Sequence, residues 1–321
     1  MSHIEINQLK YRYPMSEQLA LDGVSMTVQR GEFLGVIGQN RAGKSTFCQA
    51  LTGLVPHFYK GAYGGSVLID GTDVGKEGID ETIRKVGIVF QNPFTQVTGA
   101  KLTVYEEIAF GLEHLGVPRQ QMIERIDHVL YLLDIEECKD RAPFDLSGGQ
   151  MQRMAIASVI AMRPQVIVLD EPTSQLDPQG SEEVFLAIQS LSKEGMTVIL
   201  AEHKMEKLAV YADRIALFHQ GKLIDVDTPS RLFSRDDLAQ YDIQPPVYTR
   251  VCRELGLRLP GTNTYPVTLE EAQRSYEAHQ QQNRQKPAEA KRIQDSSAIT
   301  NEAKQHYGQN RSQSNEGDQH D

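Results

Sequence analysis

The sequence predicts an α/β fold built on a mainly parallel sheet, and three observations lead to this prediction. Short apolar runs of strand character alternate with longer segments of helical periodicity. A glycine-rich segment, Gly38–Thr46, lies between one such run and the helical pattern that follows it. Two carboxylates, Asp170 and Glu171, come directly after another apolar run. In sheets of this class ligands bind at the carboxyl ends of the strands, so both places are candidate functional sites.

The amino-acid composition limits the classes of function that this chain can have. Among 321 residues, 33 lysines and arginines stand against 43 aspartates and glutamates, a net charge of −10. This acidic balance argues against general nucleic-acid binding, which depends on cationic patches. No apolar run approaches the roughly 18 residues that cross a bilayer, and the first residues do not resemble a signal peptide. We expect a soluble chain of one large domain and an appendage, whose three separated cysteines are thiols of a reduced cytoplasm.

The glycine-rich segment has the sequence of a phosphate-binding loop. It fits G-x-x-x-x-G-K-[ST] and lies between the predicted strand Phe33–Ile37 and a helical pattern. Backbone amides of such a loop cradle phosphates, Lys44 supplies a charge for the β- and γ-phosphates, and Ser45 supplies a hydroxyl for Mg²⁺. The loop residues predicted to bind are Gly38, Gln39, Asn40, Arg41, Ala42, Gly43, Lys44, Ser45 and Thr46. A turn that matches by chance would not explain the strand and helix on either side.

A predicted helix that begins after Leu146 has an end suited to anions. Ser147 is its predicted N-cap, and Gln150 completes a capping box. Gly148 and Gly149 follow the cap, so the amides of this helix end are open to an anion. A merely well-capped helix would not need two glycines.

The carboxylate pair ends a predicted strand, Val166–Leu169, that is apolar enough to be buried on both faces. A buried strand does not carry two carboxylates without a task. Together, Asp170 and Glu171 suit a metal ligand and a base. A surface acidic pair at a strand end is the alternative interpretation.

Further elements are predicted along the chain. The strand predictions are Ile4–Ile6, Val24–Val28, Gly64–Gly71, Val86–Phe90, Thr197–Ala201 and a hairpin of Asp213–Phe218 with Gly221–Ile224. The periodicity is helical from about 94 to 163, and residues 230–272 are predicted to form short helices. From about residue 280 the chain is rich in Gln, Asn and Ser, so we expect it to be disordered.

Six motifs stand in the order and spacing of the ATP-binding cassette (ABC) ATPases, and the chain resembles this family over roughly residues 2–235. The motifs are Gly38–Thr46 (Walker A), Gln91 (Q-loop), Leu146–Gln150 (signature), Val166–Glu171 (Walker B), Ser174–Asp177 (D-loop) and His203 (switch histidine). The resemblance implies a P-loop NTPase (RecA-like) core with an antiparallel β subdomain and a helical subdomain at about 92–165. Beyond it we expect a small C-terminal helical domain at 236–275 and, from the composition, a disordered Gln-rich tail at 276–321.

A narrower resemblance is to the ATPase subunits of energy-coupling-factor (ECF) transporters, which import vitamins and metal ions. The segments that resemble this branch are Val89–Pro93 with Gln96, Gly99-Ala100, Glu107–Glu113, Ala201–Lys204, Leu255–Leu257, Leu259-Pro260 and Thr268–Glu271. The last three lie in the predicted small C-terminal domain.

The family resemblance implies ATP and Mg²⁺ as cofactors and assigns the catalytic residues. Asp170 and Ser45 would hold Mg²⁺, and Gln91 would reach this ion or the attacking water. Glu171 would be the base that polarises the water. His203 would contact the γ-phosphate and help to orient the water, although a histidine after a buried strand is otherwise usually structural.

The resemblance also implies a head-to-tail dimer that sandwiches two ATP molecules. Ser147, Gly148 and Gly149 would face the γ-phosphate bound by the partner, with Gln150 beside them. Asp177 would organise the dimer seam through the D-loop. A lone subunit would then hydrolyse ATP poorly.

Three other positions carry open questions. Tyr13 matches the family's adenine-stacking aromatic, with Tyr11 as its rival and a plain strand aromatic as the third possibility. Arg41 stands where most of the family has glycine, and would either strain the loop or add a cation near the phosphates. Gln175 replaces the usual small D-loop residue and would mark a specific partner.

The function that follows is the ATP-hydrolysing subunit of a membrane importer of the ECF type. We expect a homo- or heterodimer at the cytoplasmic face of a bacterial or archaeal membrane, with a transmembrane coupling subunit and a substrate-binding membrane subunit. The alternatives are the ATPase of an importer that uses a binding protein, a soluble non-transport ABC ATPase, and a nucleotide-binding scaffold that hydrolyses poorly. The substrate is not predicted, because in this family the membrane partners choose it.

Overall fold

The computed structural model describes residues 2–281. The strands are β1 (Ser2–Arg12), β2 (Leu21–Gln29), β3 (Phe33–Gly38), β4 (Ala62–Ile69), β5 (Thr72–Asp73), β6 (Val86–Val89), β7 (Val166–Asp170), β8 (Thr197–Ala201), β9 (Arg214–His219) and β10 (Lys222–Asp227). The helices are α1 (Lys44–Leu51), α2 (Leu54–His57), α3 (Ile79–Thr82), α4 (Val104–His114), α5 (Arg119–Leu132), α6 (Gly148–Ala161), α7 (Pro178–Lys193), α8 (Met205–Tyr211), α9 (Pro229–Phe233), α10 (Val247–Glu254) and α11 (269–281).

Six strands form the central sheet, in the order β10-β9-β3-β8-β7-β6. The pairs from β9 to β6 are parallel, and β10 pairs antiparallel with β9 at one edge. The predicted α/β class with a mainly parallel sheet is therefore confirmed. This order brings the carboxyl ends of β3, β8, β7 and β6 to one edge of the sheet.

The inner strands β3, β7 and β8 are buried on both faces, because nearly all of their residues are apolar. Along β7, Val166 and Val168 pack in the core shared with α1 and the second sheet. Ile167 and Leu169 pack on the opposite face, in the core shared with helices α4 to α8. Every residue of β7 and β8 is buried. A strand of this kind cannot shift its register without losing both cores, so the residue that follows it is firmly placed.

A second sheet of four strands, in the order β2-β1-β4-β5, covers one face of the core. Its neighbours pair antiparallel, in agreement with the implied antiparallel β subdomain. Strand β1 ends at Arg12, so that Tyr13 leaves the sheet close to helix α1.

The region predicted to be helical contains α4, α5 and α6, and α4 and α5 both pack on α6. Helix α4 begins with a capping box of Thr103 and Glu106. Helix α6 begins at Gly148, with the predicted capping box of Ser147 and Gln150, and ends before Pro164. The helical periodicity therefore placed these helices correctly.

The C-terminal part consists of short helices, as predicted. Arg235 forms ion pairs with Asp225 of β10 and with Asp237, which ties this part to the central sheet. Residues 276–281, assigned above to the tail, continue helix α11. The rest of the predicted disordered tail lies outside the described residues. Among residues 2–281, no helix is long and apolar enough to cross a membrane.

Candidate nucleotide-binding site

The loop Gly38–Thr46 joins the end of β3 to the start of α1, at the carboxyl edge of the central sheet. Gly43 precedes the helix with φ 103°, a conformation that favours glycine. A Cβ atom on Gly38 would lie 2.4 Å from the carbonyl oxygen of Phe218, and one on Gly43 would lie 2.6 Å from that of Ala20. Close backbone packing therefore requires both glycines of the motif.

Lys44 lies beneath this loop with its side chain 5% exposed. Its Nζ donates hydrogen bonds to the carbonyl oxygens of Gly38 at 3.0 Å and Gln39 at 3.2 Å. Burial lowers the pKa of Lys44, while the carboxylates of Glu171 and Asp170 act in the opposite direction. The ammonium is thus held in place before any ligand arrives.

Glu171 is the point at which the side chains of the site converge. Gln91 Nε2 donates to its Oε2 at 2.7 Å, and His203 Nε2 lies 2.8 Å from its Oε1. Lys44 Nζ lies 3.7 Å from the same Oε1 and 3.3 Å from His203 Nε2. The backbone of Glu171 has φ 50°, which is uncommon for a residue with a side chain and is typical of functional sites.

Asp170, at the end of β7, is 7% exposed. Its Oδ1 is buried without a hydrogen-bond partner among the described residues. Burial raises the pKa of Asp170, and the Ser45 hydroxyl acts in the opposite direction by hydrogen bonding. A buried carboxylate oxygen without a partner, beside a serine hydroxyl, is a donor set of oxygen atoms that fits Mg²⁺.

The structure distinguishes between Tyr11 and Tyr13, the two candidates for stacking on the adenine base. Tyr11 is fully buried, and its hydroxyl donates to the carbonyl oxygen of Tyr59 at 2.8 Å. Tyr13 lines the cavity above the loop, and its hydroxyl donates to Gln49 Oε1 at 2.9 Å. A base could therefore reach Tyr13 but not Tyr11.

The loop side and the signature side lie in two separate cavities. The first cavity, of about 500 Å³, is lined by Tyr13, Gln91, Glu171 and the loop residues Asn40, Arg41, Gly43, Lys44, Ser45 and Thr46. The second, of about 420 Å³, is lined by signature and D-loop residues, among them Ser147, Gly149, Gln150, Gln175, Leu176 and Asp177. No described residue lines both cavities. Within one chain, the two groups of predicted ligands therefore face different spaces.

The D-loop packs directly against the start of α6. A Cβ atom on Gly148 would lie 3.2 Å from Gln175 Oε1, and one on Gly149 would lie 3.3 Å from Leu176 Cδ2. Asp177 is the N-cap of α7, and its Oδ1 accepts a hydrogen bond from the Gly180 amide at 2.9 Å. The double glycine thus lets the D-loop approach, a packing reason that the sequence did not reveal.

The structure adds a buried network that sequence reasoning missed. Glu202, 3% exposed, accepts a hydrogen bond from the Thr173 hydroxyl at 3.0 Å. Lys204 donates to the Thr173 carbonyl oxygen at 3.2 Å and to Ser181 Oγ at 2.9 Å. This network fixes the turn after Glu171 to the residues on either side of His203. The sequence signal that could have revealed this network was Glu202, a second carboxylate at a strand end, directly before His203.

Comparison with known proteins agrees with this geometry. The sequence profile of the ABC transporter family matches residues 21–174. The energy-coupling factor transporter ATP-binding protein EcfA1 of Lacticaseibacillus paracasei is 44% identical over 232 residues, which cover 72% of this chain and 81% of the relative.

Two solved structures are also similar. One is cbiO1 from Clostridium perfringens, described as part of the ABC transporter complex cbiONQ, with 32% identity, a TM-score of 0.65, and coverage of 81% of this chain and 96% of that one. The other is an ATP-binding cassette in a dimeric post-hydrolysis state bound to ADP and Pi, with 26% identity, a TM-score of 0.61, and coverage of 70% and 98%.

The chain belongs to the ATP-binding cassette family of transporter ATPases. It is an ATP-binding and ATP-hydrolysing subunit of this family.

Proposed function

We propose that this chain is the ATPase subunit of an ECF-type importer of a vitamin or a metal ion. The observation that carries the catalytic part is the convergence of Gln91, His203 and Lys44 on Glu171. The ECF assignment is supported by the similarity to EcfA1 over 81% of that relative, and by the similarity to a cassette from a cbiONQ complex. It also agrees with the motif-level resemblance around Gln91 and Glu107.

The first cavity holds ATP in this proposal. The amides of residues 38–46 and the Lys44 ammonium bind its phosphates, and Tyr13 stacks on the base. Asp170, Ser45 and Gln91 hold Mg²⁺, which when bound neutralises charge that develops on the phosphates. The partnerless Oδ1 of Asp170 supports this assignment, because a buried carboxylate oxygen requires a cation or a donor.

Glu171 acts as the base for hydrolysis. The water oxygen forms a bond to the γ-phosphorus while the bond from phosphorus to the bridging oxygen of ADP breaks, and a proton of the water passes to Glu171. Gln91 and His203 hold the carboxylate from two sides and so orient it toward the loop. His203 Nε2 also lies 3.3 Å from Lys44 Nζ, which supports a contact of His203 with the γ-phosphate.

The second cavity serves the ATP bound by a partner subunit. Ser147, Gly148 and Gly149 present the amino-terminal end of α6, a 14-residue helix, whose dipole favours an anion. Gln150 keeps Ser147 in place, and Asp177 positions the D-loop at the seam by capping α7. The separation of the two cavities within one chain supports a head-to-tail dimer, homo- or heteromeric, that closes on ATP.

The membrane partners dock beside the Gln91 loop at the cytoplasmic face of the membrane. An apolar groove of about 670 Å³ runs between the central sheet and helices α4 and α6, and Phe90, Phe110, Val159 and Met162 line it. Gln96 lines the same groove, so a subunit seated there would contact the segment that leads to Gln91. This arrangement suits a peripheral ATPase that drives a transmembrane coupling subunit.

Copurification from detergent-solubilised membranes of the native host tests the proposal. We expect a transmembrane coupling subunit and a small substrate-binding membrane protein, with or without a second ATPase. Recovery of two permease subunits together with an extracellular binding protein would instead identify the alternative importer class. Recovery with ribosomes or DNA, and no membrane protein, would assign a soluble function.

A further inference from the structure

Arg41 has an unfavourable backbone conformation in the middle of the phosphate-binding loop. Its φ is 66°, in the left-handed region that side chains other than glycine rarely adopt. Asparagine and aspartate tolerate this region through local hydrogen bonds, but an arginine side chain does not. A glycine at this position would therefore fit the loop with less strain than the arginine that is present.

The Arg41 side chain is directed toward the same space as the predicted nucleotide ligands. It is exposed and lines the cavity that Lys44, Ser45 and Tyr13 also line. Among residues 2–281, no carboxylate lies within ion-pairing distance of its guanidinium. The strain therefore has no compensating ion pair within this part of the chain.

The charges deeper in the cavity are arranged so that a second cation would add to the binding of a triphosphate. The Lys44 ammonium is buried, donates to two carbonyl oxygens and lies 3.7 Å from the Glu171 carboxylate. A triphosphate bound in the loop would therefore contact the Lys44 ammonium, whose positive charge already interacts with the Glu171 carboxylate and with two carbonyl oxygens. A guanidinium at the outer side offers a planar set of donors that matches phosphate oxygens.

We propose that the Arg41 side chain is a second phosphate-binding cation, which holds the triphosphate of ATP from the solvent side of the loop. The strained backbone conformation at residue 41 is tolerated, in this proposal, because the arginine side chain supplies this charge. The proposal rests on the proposed binding of ATP by the loop, and it goes beyond it by assigning the side chain of Arg41 a role that the motif does not require.

Three variants separate charge from strain in the full-length chain. Arg41→Gly removes both, Arg41→Gln removes the charge and keeps a side chain in the strained conformation, and Arg41→Lys keeps charge and strain. Melting temperature without nucleotide reports the strain, and the Kd for Mg²⁺·ATP, measured at low and high salt, reports the charge.

The two measurements should move in opposite directions for the glycine variant. We expect Arg41→Gly to raise the melting temperature by about 2–4 °C, and Arg41→Gln to leave it unchanged. Both should raise the Kd for ATP about tenfold and make it less dependent on salt, because a charged contact is lost. Arg41→Lys should raise the Kd for ATP less than Arg41→Gln does, because it keeps the charge but loses the planar donors.

An unchanged Kd in Arg41→Gln would overturn the phosphate contact, and an unchanged or lower melting temperature in Arg41→Gly would overturn the strain. Failure of the wild-type chain itself to bind Mg²⁺·ATP would instead overturn the proposed function. The two failures are thereby distinguishable.

Discussion

At the scale of single residues, Glu171 and Asp170 are adjacent in the chain but have different surroundings. Glu171 is met by Gln91, His203 and Lys44, whereas one oxygen of Asp170 is buried without a partner among the described residues. A carboxylate held by donors can be aimed at a water, and a buried carboxylate without a partner can bind a cation. The two neighbours are therefore expected to respond differently to removal of their charge.

We predict that Glu171→Gln retains ATP binding but loses hydrolysis by a factor of about 10²–10⁴, the usual contribution of a positioned base. ATPase turnover and equilibrium binding of ATP would be measured on the same preparation. Glu194→Gln, which changes an exposed glutamate at the end of α7, is the matched control. Turnover near the wild-type rate in Glu171→Gln would reject Glu171 as the base.

For Asp170 we predict opposite effects on stability and activity. Burial raises the pKa of Asp170 above its ordinary value of 3.8, so the unfolded chain ionises this group more easily than the folded chain does. Ionised Asp170 therefore destabilises the metal-free fold at neutral pH. This destabilisation decreases as the pH falls through the raised pKa of the folded state and is gone below 3.8. Asp170→Asn should melt at a higher temperature than the wild type at pH 7, with a smaller difference at pH 4.5.

The same variant should lose Mg²⁺-dependent ATP hydrolysis, because the proposed metal ligand is gone. Melting curves without Mg²⁺ at both pH values, together with turnover at pH 7, give the two readouts. A lower melting temperature of Asp170→Asn at pH 7 would contradict the argument from burial.

At the scale of elements, the Gln91 loop is anchored to the signature helix through Gln96. Gln96 Oε1 accepts a hydrogen bond from the Phe90 amide at 3.3 Å, and its Nε2 donates to the Ala155 carbonyl oxygen of α6 at 3.1 Å. On the same segment, the buried Glu107 accepts bonds from the Thr98 amide and hydroxyl. Strand β6, the Gln91 loop and α6 are thus linked by side-chain amide and carboxylate contacts.

We predict that Gln96→Leu destabilises the fold by about 1–3 kcal/mol, since the half-buried Phe90 amide loses its acceptor and α6 loses the bond to the Ala155 carbonyl oxygen. It should also lower kcat with little change in the Kd for ATP, because Gln91 would lose its fixed position while the phosphate loop stays intact. Gln121→Leu, at an exposed glutamine of α5, serves as the control. If kcat per folded molecule matched the wild type, Gln96 would be a structural anchor with no effect on the Gln91 loop.

At the scale of the whole molecule, the proposed ATP-binding residues and the signature residues line two separate cavities. The cavity at Lys44 is lined by Glu171, the proposed base, and by Ser45 and Gln91, two of the proposed metal ligands. The cavity at Ser147 lies at the amino-terminal end of α6. A head-to-tail dimer would bring the Lys44 side of one chain to the Ser147 side of the other. Activity should then depend on pairing.

We predict that two inactive variants restore activity when mixed. Lys44→Ala removes the phosphate charge, and Ser147→Arg blocks the helix end. In a mixed dimer, the Lys44 side of the Ser147→Arg chain meets the intact Ser147 of the Lys44→Ala chain, so one complete site forms. ATPase turnover before and after mixing is the measurement, and mixing Lys44→Ala with Lys44→Met is the control. A mixture as inactive as its parts, with mixed dimers demonstrated, would contradict the head-to-tail arrangement.

Local patterns in the sequence predicted much of the fold. They also predicted the chemistry of each motif, because a motif is read from residues that are close together in the chain. The loop Gly38–Thr46, the capping box of Ser147 and Gln150, and the buried strand before Asp170 each depend on contiguous spacing. For that reason the α/β class, the start of α6 and the end of β7 agree with the prediction. Residues 276–281 were assigned to the disordered tail but lie in α11, because a polar, Gln-rich composition does not exclude a helix.

The sequence by itself determined which residue types were available and on which local elements they lie. The tertiary structure decided which of them meet: that Gln91, His203 and Lys44 converge on Glu171, and that Tyr13 rather than Tyr11 faces the cavity. It also decided that Gly148 packs against Gln175, and that the two half-sites of one chain stay apart. The physical reason is that strand order and helix packing follow from burial of the two cores, which depends on residues far apart in the chain.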